Sequence, residues 1–182
     1  MSRNAAVRWG FLFFSFVVLI FSTGYVPTVY GNDPASIERY LAVHEGRRLG
    51  DHVEILAVKD VGTDRFVVFR LETKRPDARY VIRFRRNEQG NYEGDEPYEW
   101  MDRMYSARVY KRPVRGGPDG QMVYYVIWNE SEKLAQVHFQ LNWGNVESVR
   151  IPPAPSMTVW EFRSTSGWHL ETWYFAADGS EL

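Results

Sequence analysis

The chain contains no cysteine in 182 residues. That absence excludes disulfides, zinc–thiolate sites and thiol nucleophiles, and an exported domain built without them must hold together by packing alone. Histidine is scarce as well. The four, His44, His52, His138 and His169, form no His-x-x-x-His pair and no HExxH sequence. His52 and Glu54 would point two ligands to one side of a strand, and two ligands do not make a zinc site. Neither a GxSxG elbow nor an SxxK sequence occurs, so the common exported serine hydrolases lack their marks. Net charge is only −1, which provides no global field for nucleic acid. There is no internal repeat and no low-complexity tract, and every apolar run after Val29 is short, punctuated and amphipathic.

Before Val29 the pattern is different. From Phe11 to Phe21 only Ser15 is polar, Arg3 and Arg8 precede the run, and Trp9 to Val26 gives eighteen residues without a charge. Eighteen residues is near the lower limit for crossing a bilayer core ~30 Å thick at a helical rise of ~1.5 Å per residue. The basic residues on the N-terminal side place that end in the cytoplasm and the remainder of the chain outside. Two sites with small residues, Ser22-Thr23-Gly24 and Val29-Tyr30-Gly31, offer themselves for cleavage. Neither has the Ala-x-Ala form that a signal peptidase prefers, so the reading favours a retained anchor over a cut signal that would release the protein. A zero cysteine count on an exported chain fits a bacterial surface.

The chain beyond residue 31 reads as α+β and predominantly antiparallel β. A helix is expected over 33–45, capped by Asn32 or Asp33, with Pro34 in its first turn and Gly46 past its end. Ile37, Tyr40, Leu41 and His44 fall on one face at i, i+3, i+4 and i+7. Strands are expected at 52–61, 65–72 and 78–87, with Gly62-Thr63-Asp64 turning between the first two and residues 87–91 closing a hairpin. On the third, Tyr80, Ile82 and Phe84 face one way, and Val81, Arg83 and Arg85 the other. Further strands begin near Arg103, Gln121, Leu134, Asn145, Met157 and Trp168, at the spacing of a sandwich or open barrel. Residues 130–132 are read as a single helical turn. The organisation expected is an anchor or signal in 1–31, a helix-on-sheet unit in 32–97, and a sandwich-like all-β unit in 98–182.

Charge is distributed in blocks. Lys59 to Arg86 has nine basic and four acidic residues, while Glu88 to Asp102 has six acidic and none basic. Two charged surfaces are candidates. Glu93, Asp95, Glu96 and Glu99 would supply oxygens to Ca²⁺, although Pro97 limits how the loop wraps and the default is an exposed acidic connector. Carboxylates of the same segment, 93–102, would also serve as the acid–base pair of a hydrolase. Arg79, Arg83 and Arg85, on one strand face, would dock anionic lipid headgroups, an anionic envelope polymer or the acidic face of a protein partner. The aromatics beside them point the opposite way, which argues against nucleic acid.

Aromatic density is the third candidate. Trp128, Trp143, Trp160, Trp168 and Trp173 fall within forty-six residues. Exposed rings lying flat on a sheet are how sugar-binding modules stack on pyranose faces. Trp143, in the turn Asn142-Trp143-Gly144, is the ring expected to be exposed, and the others are expected to pack in the core. Trp173 and Phe175 share a face with His169 and Glu171, opposite Trp168, Leu170 and Tyr174. No cofactor is indicated. The function expected is a non-enzymatic binding module at the outer face of a bacterial membrane, held through residues 9–26. A carbohydrate-binding module of the cell envelope is the alternative, and a hydrolase comes third.

Overall fold

The computed structural model describes residues 29–46, 52–72, 76–95, 98–100, 105–113, 121–164 and 169–182. The apolar stretch 9–26, and the membrane segment expected there, lie outside these residues, as do Glu96 and Trp168. Among the described residues no helix is long and apolar enough to cross a membrane.

The architecture is α+β, mostly antiparallel sheet with one short helix, α1 (Pro34–Leu41). Asp33 caps it: its carboxylate accepts from the Ser36 N–H at 2.9 Å, and the Ser36 hydroxyl accepts from the Asp33 N–H at 2.8 Å. The helix is shorter than its periodicity predicts. After Leu41 the backbone widens into a π-helical turn, Ala42–Gly46, with the His44 ring stacked on Tyr40 at 4.2 Å.

The first sheet holds β1 (Val53–Val61), β2 (Asp64–Leu71), β3 (Arg79–Arg86), β4 (Tyr92–Gly94) and β5 (Tyr98–Trp100). Its order is β1-β2-β3, with β4 and β5 pairing with opposite ends of the free side of β3. The acidic stretch read as a connector is therefore partly sheet edge. β1 alternates only in part because its register slips between Ile55 and Ala57, a bulge that resets which side chains face which side.

The second sheet is β6 (Tyr105–Pro113), β7 (Gln121–Asn129) and β10 (Ser156–Ser164), with β7 in the middle. The third is β8 (Leu134–Leu141), β9 (Val146–Arg150) and β11 (Leu170–Ala176), with β8 in the middle. Where a helical turn was expected at 130–132, the Asn129 side chain instead accepts from the Ser131 N–H and shapes a short turn into β8.

These elements stack in four layers. Ile37 and Leu41 of α1 pack on Val67, Phe69, Ile82 and Phe84 of the first sheet. The opposite face of that sheet, Phe66, Val68 and Val81, meets Tyr124, Val126 and Trp128 of β7. The other face of β7, Tyr125 and Ile127, meets Val137, Phe139 and Leu134 of the third sheet. β7 is thus buried on both sides, and its sequence QMVYYVIWN is accordingly apolar at consecutive positions. The face-to-face packing of the second and third sheets fits a β-sandwich.

Candidate functional site

The third sheet has one face on the core and one open. Val137, Phe139, Leu170 and Tyr174 point inward. Cross-strand register then puts three rows on the open face: Glu171, Gln140 and Val146; Trp173, His138 and Ser148; Phe175, Gln136 and Arg150. The His138 ring lies 4.3 Å from the Phe175 ring, and the Gln136 amide donates to the Ser148 hydroxyl. The face carries partly exposed rings separated by amides and charges.

Trp143 stands at the end of this array in the β8–β9 turn, 73% exposed. Asn142 and Trp143 both have positive φ, 51° and 55°. Asparagine tolerates the left-handed region, whereas a bulky residue adopts it at a cost of ~1–2 kcal/mol. The surroundings hold it there. The Asn142 N–H donates to the His169 carbonyl at 2.9 Å, and the His169 N–H donates to the Asn142 side-chain oxygen at 2.7 Å. Gln140 donates to the Gly144 carbonyl at 3.0 Å. The imidazole of His169 stacks beneath the indole at 5.0 Å and 13°, and Glu171 holds that imidazole at 3.0 Å. Trp143 is thus an exposed ring fixed in place, with strain retained at the surface.

The arginines lie elsewhere. Arg79, Arg83 and Arg85 share one face of β3, as the alternation indicates, and that face is the one covered by the second sheet. The Arg79 guanidinium grips Glu130 at 2.7 and 3.2 Å. Arg83, only 6% exposed, donates to Asp95 at 2.6 Å. Arg85 alone of the three is exposed, and among the described residues it has no carboxylate partner. Of the expected cation ligands, Glu93 accepts from the Asn87 amide at 2.7 Å, and Asp95 is taken by Arg83. Glu99 falls on β5, and its side chain, like Glu96, lies outside what is described. Among the described residues no group of three His, Asp or Glu is placed to hold a metal ion. His52 and Glu54 do not converge: His52 pairs with Glu72 at 3.3 Å and Glu54 with Arg70 at 2.5 Å.

Core packing accounts for several of the other aromatics. Trp128 is buried between the first two sheets, and Trp160 stacks on Phe139 at 4.3 Å between the second and third. Tyr125 and Tyr174 join hydroxyls at 2.9 Å across that second interface, where burial, and then the neighbouring Tyr174, push the Tyr125 phenol up. The residues that sequence reasoning left without a role are His138, His169 and Glu171. Alternation placed His169 and Glu171 on the face of Trp173, but their bracing of Trp143 comes from the turn geometry, which no local pattern displays.

Comparison of the chain with protein-family models, with curated proteins and with solved structures finds no match.

Proposed function

We propose that this chain is a non-enzymatic binding module held at the outer face of a bacterial membrane, and that it takes its ligand on the open face of the third sheet. The observation that carries this reading is Trp143, an exposed indole in a left-handed turn, backed by His169 and Glu171. A polysaccharide of the cell envelope suits this face. Flat rings stack on sugar faces at small entropic cost, and the interspersed Gln136, Gln140, Ser148 and Glu171 offer hydrogen bonds to hydroxyls. An anionic polymer docked on β3 has less support, since Arg79 and Arg83 already serve Glu130 and Asp95. A hydrolase built on residues 93–102 gains nothing from Glu93 and Asp95 as they are partnered.

Sedimentation of the full chain with insoluble cell-wall polysaccharide tests the reading. Retention that survives added salt and falls on Trp173→Ala is the result expected. Retention abolished by salt and by Arg85→Ala, and indifferent to Trp173→Ala, would move the ligand to the arginine strand.

A further inference from the structure

The chain enters the domain through a clamp. The Gly31 N–H donates to the Tyr92 carbonyl at 2.8 Å, and Arg65 Nη1 donates to the carbonyls of Gly31 and Asn32, both at 2.8 Å. That guanidinium is itself fixed by the Asp60 carboxylate at 2.6 and 2.8 Å and lies 4.3 Å over the Tyr92 ring. The Asn32 side chain donates to Asn91 and accepts from the Tyr92 N–H, each at 2.9 Å. Gly31 packs so closely on Phe84 that a Cβ would stand 2.5 Å from the ring. Asp33 then caps α1 at once. From Gly31 onward every residue up to the helix is tied to the first sheet or to the helix itself.

We infer that this clamp stands the domain on the lipid headgroups in one orientation. The end of the first sheet carrying Gly31, the β1–β2 turn and the 87–91 hairpin faces the membrane, and the end carrying Arg79 and Glu130 points away. The inference rests on the reading of residues 9–26 as a retained anchor. Only Pro27, Thr28, Val29 and Tyr30 separate Val26 from Gly31. Five Cα steps reach at most about 18 Å when fully extended. A headgroup layer takes up roughly 5–8 Å of that reach. Gly31, and the sheet end bonded to it, therefore lie close above the headgroups.

β3 joins the two ends. Arg86 pairs with Tyr92 and donates its N–H to Thr63, at the clamp, while Arg79 at the other end holds Glu130. The seven steps from Arg79 to Arg86 rise ~24 Å along an extended strand. Arg85 and Arg86 are exposed at the near end, and so are Asp33, Asp60, Glu88 and Glu93, so the orientation rests on the tether and the clamp rather than on net charge.

The absence of cysteine makes the test direct. The full chain is reconstituted into nanodiscs containing anionic lipid, with Gln89→Cys or Glu132→Cys carrying an environment-sensitive fluorophore and a nitroxide quencher on the headgroups. Both positions are exposed, one on the hairpin and one in the turn beyond Glu130. Quenching at position 89 is expected to exceed that at 132 by roughly twofold or more, given the strand length and headgroup depth above. Inserting about ten Gly/Ser residues after Pro27 should erase the difference by letting the domain tumble. Equal quenching in the parent chain, or stronger quenching at 132, overturns the orientation. A difference that survives the spacer undiminished overturns the role of the clamp. Failure of the chain to copurify with the discs overturns the anchored reading itself, and the orientation with it.

Discussion

β3 and β11 present the same kind of sequence and meet opposite fates. Each alternates, and each gathers chemistry-bearing residues on one face: Arg79, Arg83 and Arg85 on β3, and His169, Glu171, Trp173 and Phe175 at β11. On β3 that face is covered by the second sheet, so Arg79 and Arg83 are drawn into ion pairs with Glu130 and Asp95. On β11 the corresponding face has no layer over it among the described residues, and its rings stay partly exposed to solvent. The period of a strand tells which residues act together. Whether they act on each other or on a partner depends on which layer lies outside them.

The comparison is broken most forcefully in the third sheet, whose two faces should differ most in energy. Phe139 is fully buried against Tyr125 and Trp160, whereas Phe175 lies half-exposed across the sheet. Phe139→Ala should cost about 3–5 kcal/mol and Phe175→Ala about 1 kcal/mol or less, read from denaturant midpoints. Equal costs would mean that the open face is covered in solution.

Within β3 the expected effects are smaller. Arg83→Ala leaves Asp95 without its partner at a site closed by the second sheet. With Asp95 partly exposed, the loss should be about 1–3 kcal/mol. Arg85→Ala should fall within about 0.5 kcal/mol of the parent. A larger loss at Arg85 would show that its exposed guanidinium serves the fold.

The clamp gives a pH dependence. Hydrogen bonds from Arg65 hold the Asp60 carboxyl below its usual range, and the same partnership raises the Arg65 guanidinium. Asp60 therefore takes up its proton at lower pH when folded than when unfolded. Its contribution is complete above the ordinary aspartate value of about 4 and is lost as pH falls through the depressed one. Asp60→Asn should be less stable than the parent at neutral pH, and the two should converge in acid. Asp33 and Asp178, lowered by Ser36 and Ser180, shift in the same sense and steepen the common acid limb. A gap that stays constant from neutral pH into acid would separate Asp60 from the clamp.

Much of this was legible in the sequence. The faces of β3 followed from Tyr80, Ile82 and Phe84 alternating with arginine, the α1 cap, to within Asn32 or Asp33, from those residues preceding Pro34, and the exposure of Trp143 from its place between Asn142 and Gly144. Less legible was anything set by long-range pairing. The sharing of Arg83 with Asp95 comes from β4 folding back on β3, and the His169 brace beneath Trp143 from β11 returning beside β8. Neither leaves a local trace. The acidic stretch 90–100 looked like a connector because its strands are three residues each, too short for alternation to show.

Under the proposed function, the open face of the third sheet, led by Trp143, serves a ligand rather than the fold. Trp143→Gly tests this most directly, because glycine accepts a φ of 55° freely and removes only the ring. Stability read from denaturant unfolding should be unchanged or raised by up to about 1 kcal/mol, the released strain less the entropy that glycine adds to the unfolded chain. Retention on insoluble cell-wall polysaccharide should fall about tenfold, the loss expected from one stacking ring. Undiminished retention by a variant of native stability would contradict the claim, and so would a variant that loses stability and binding together.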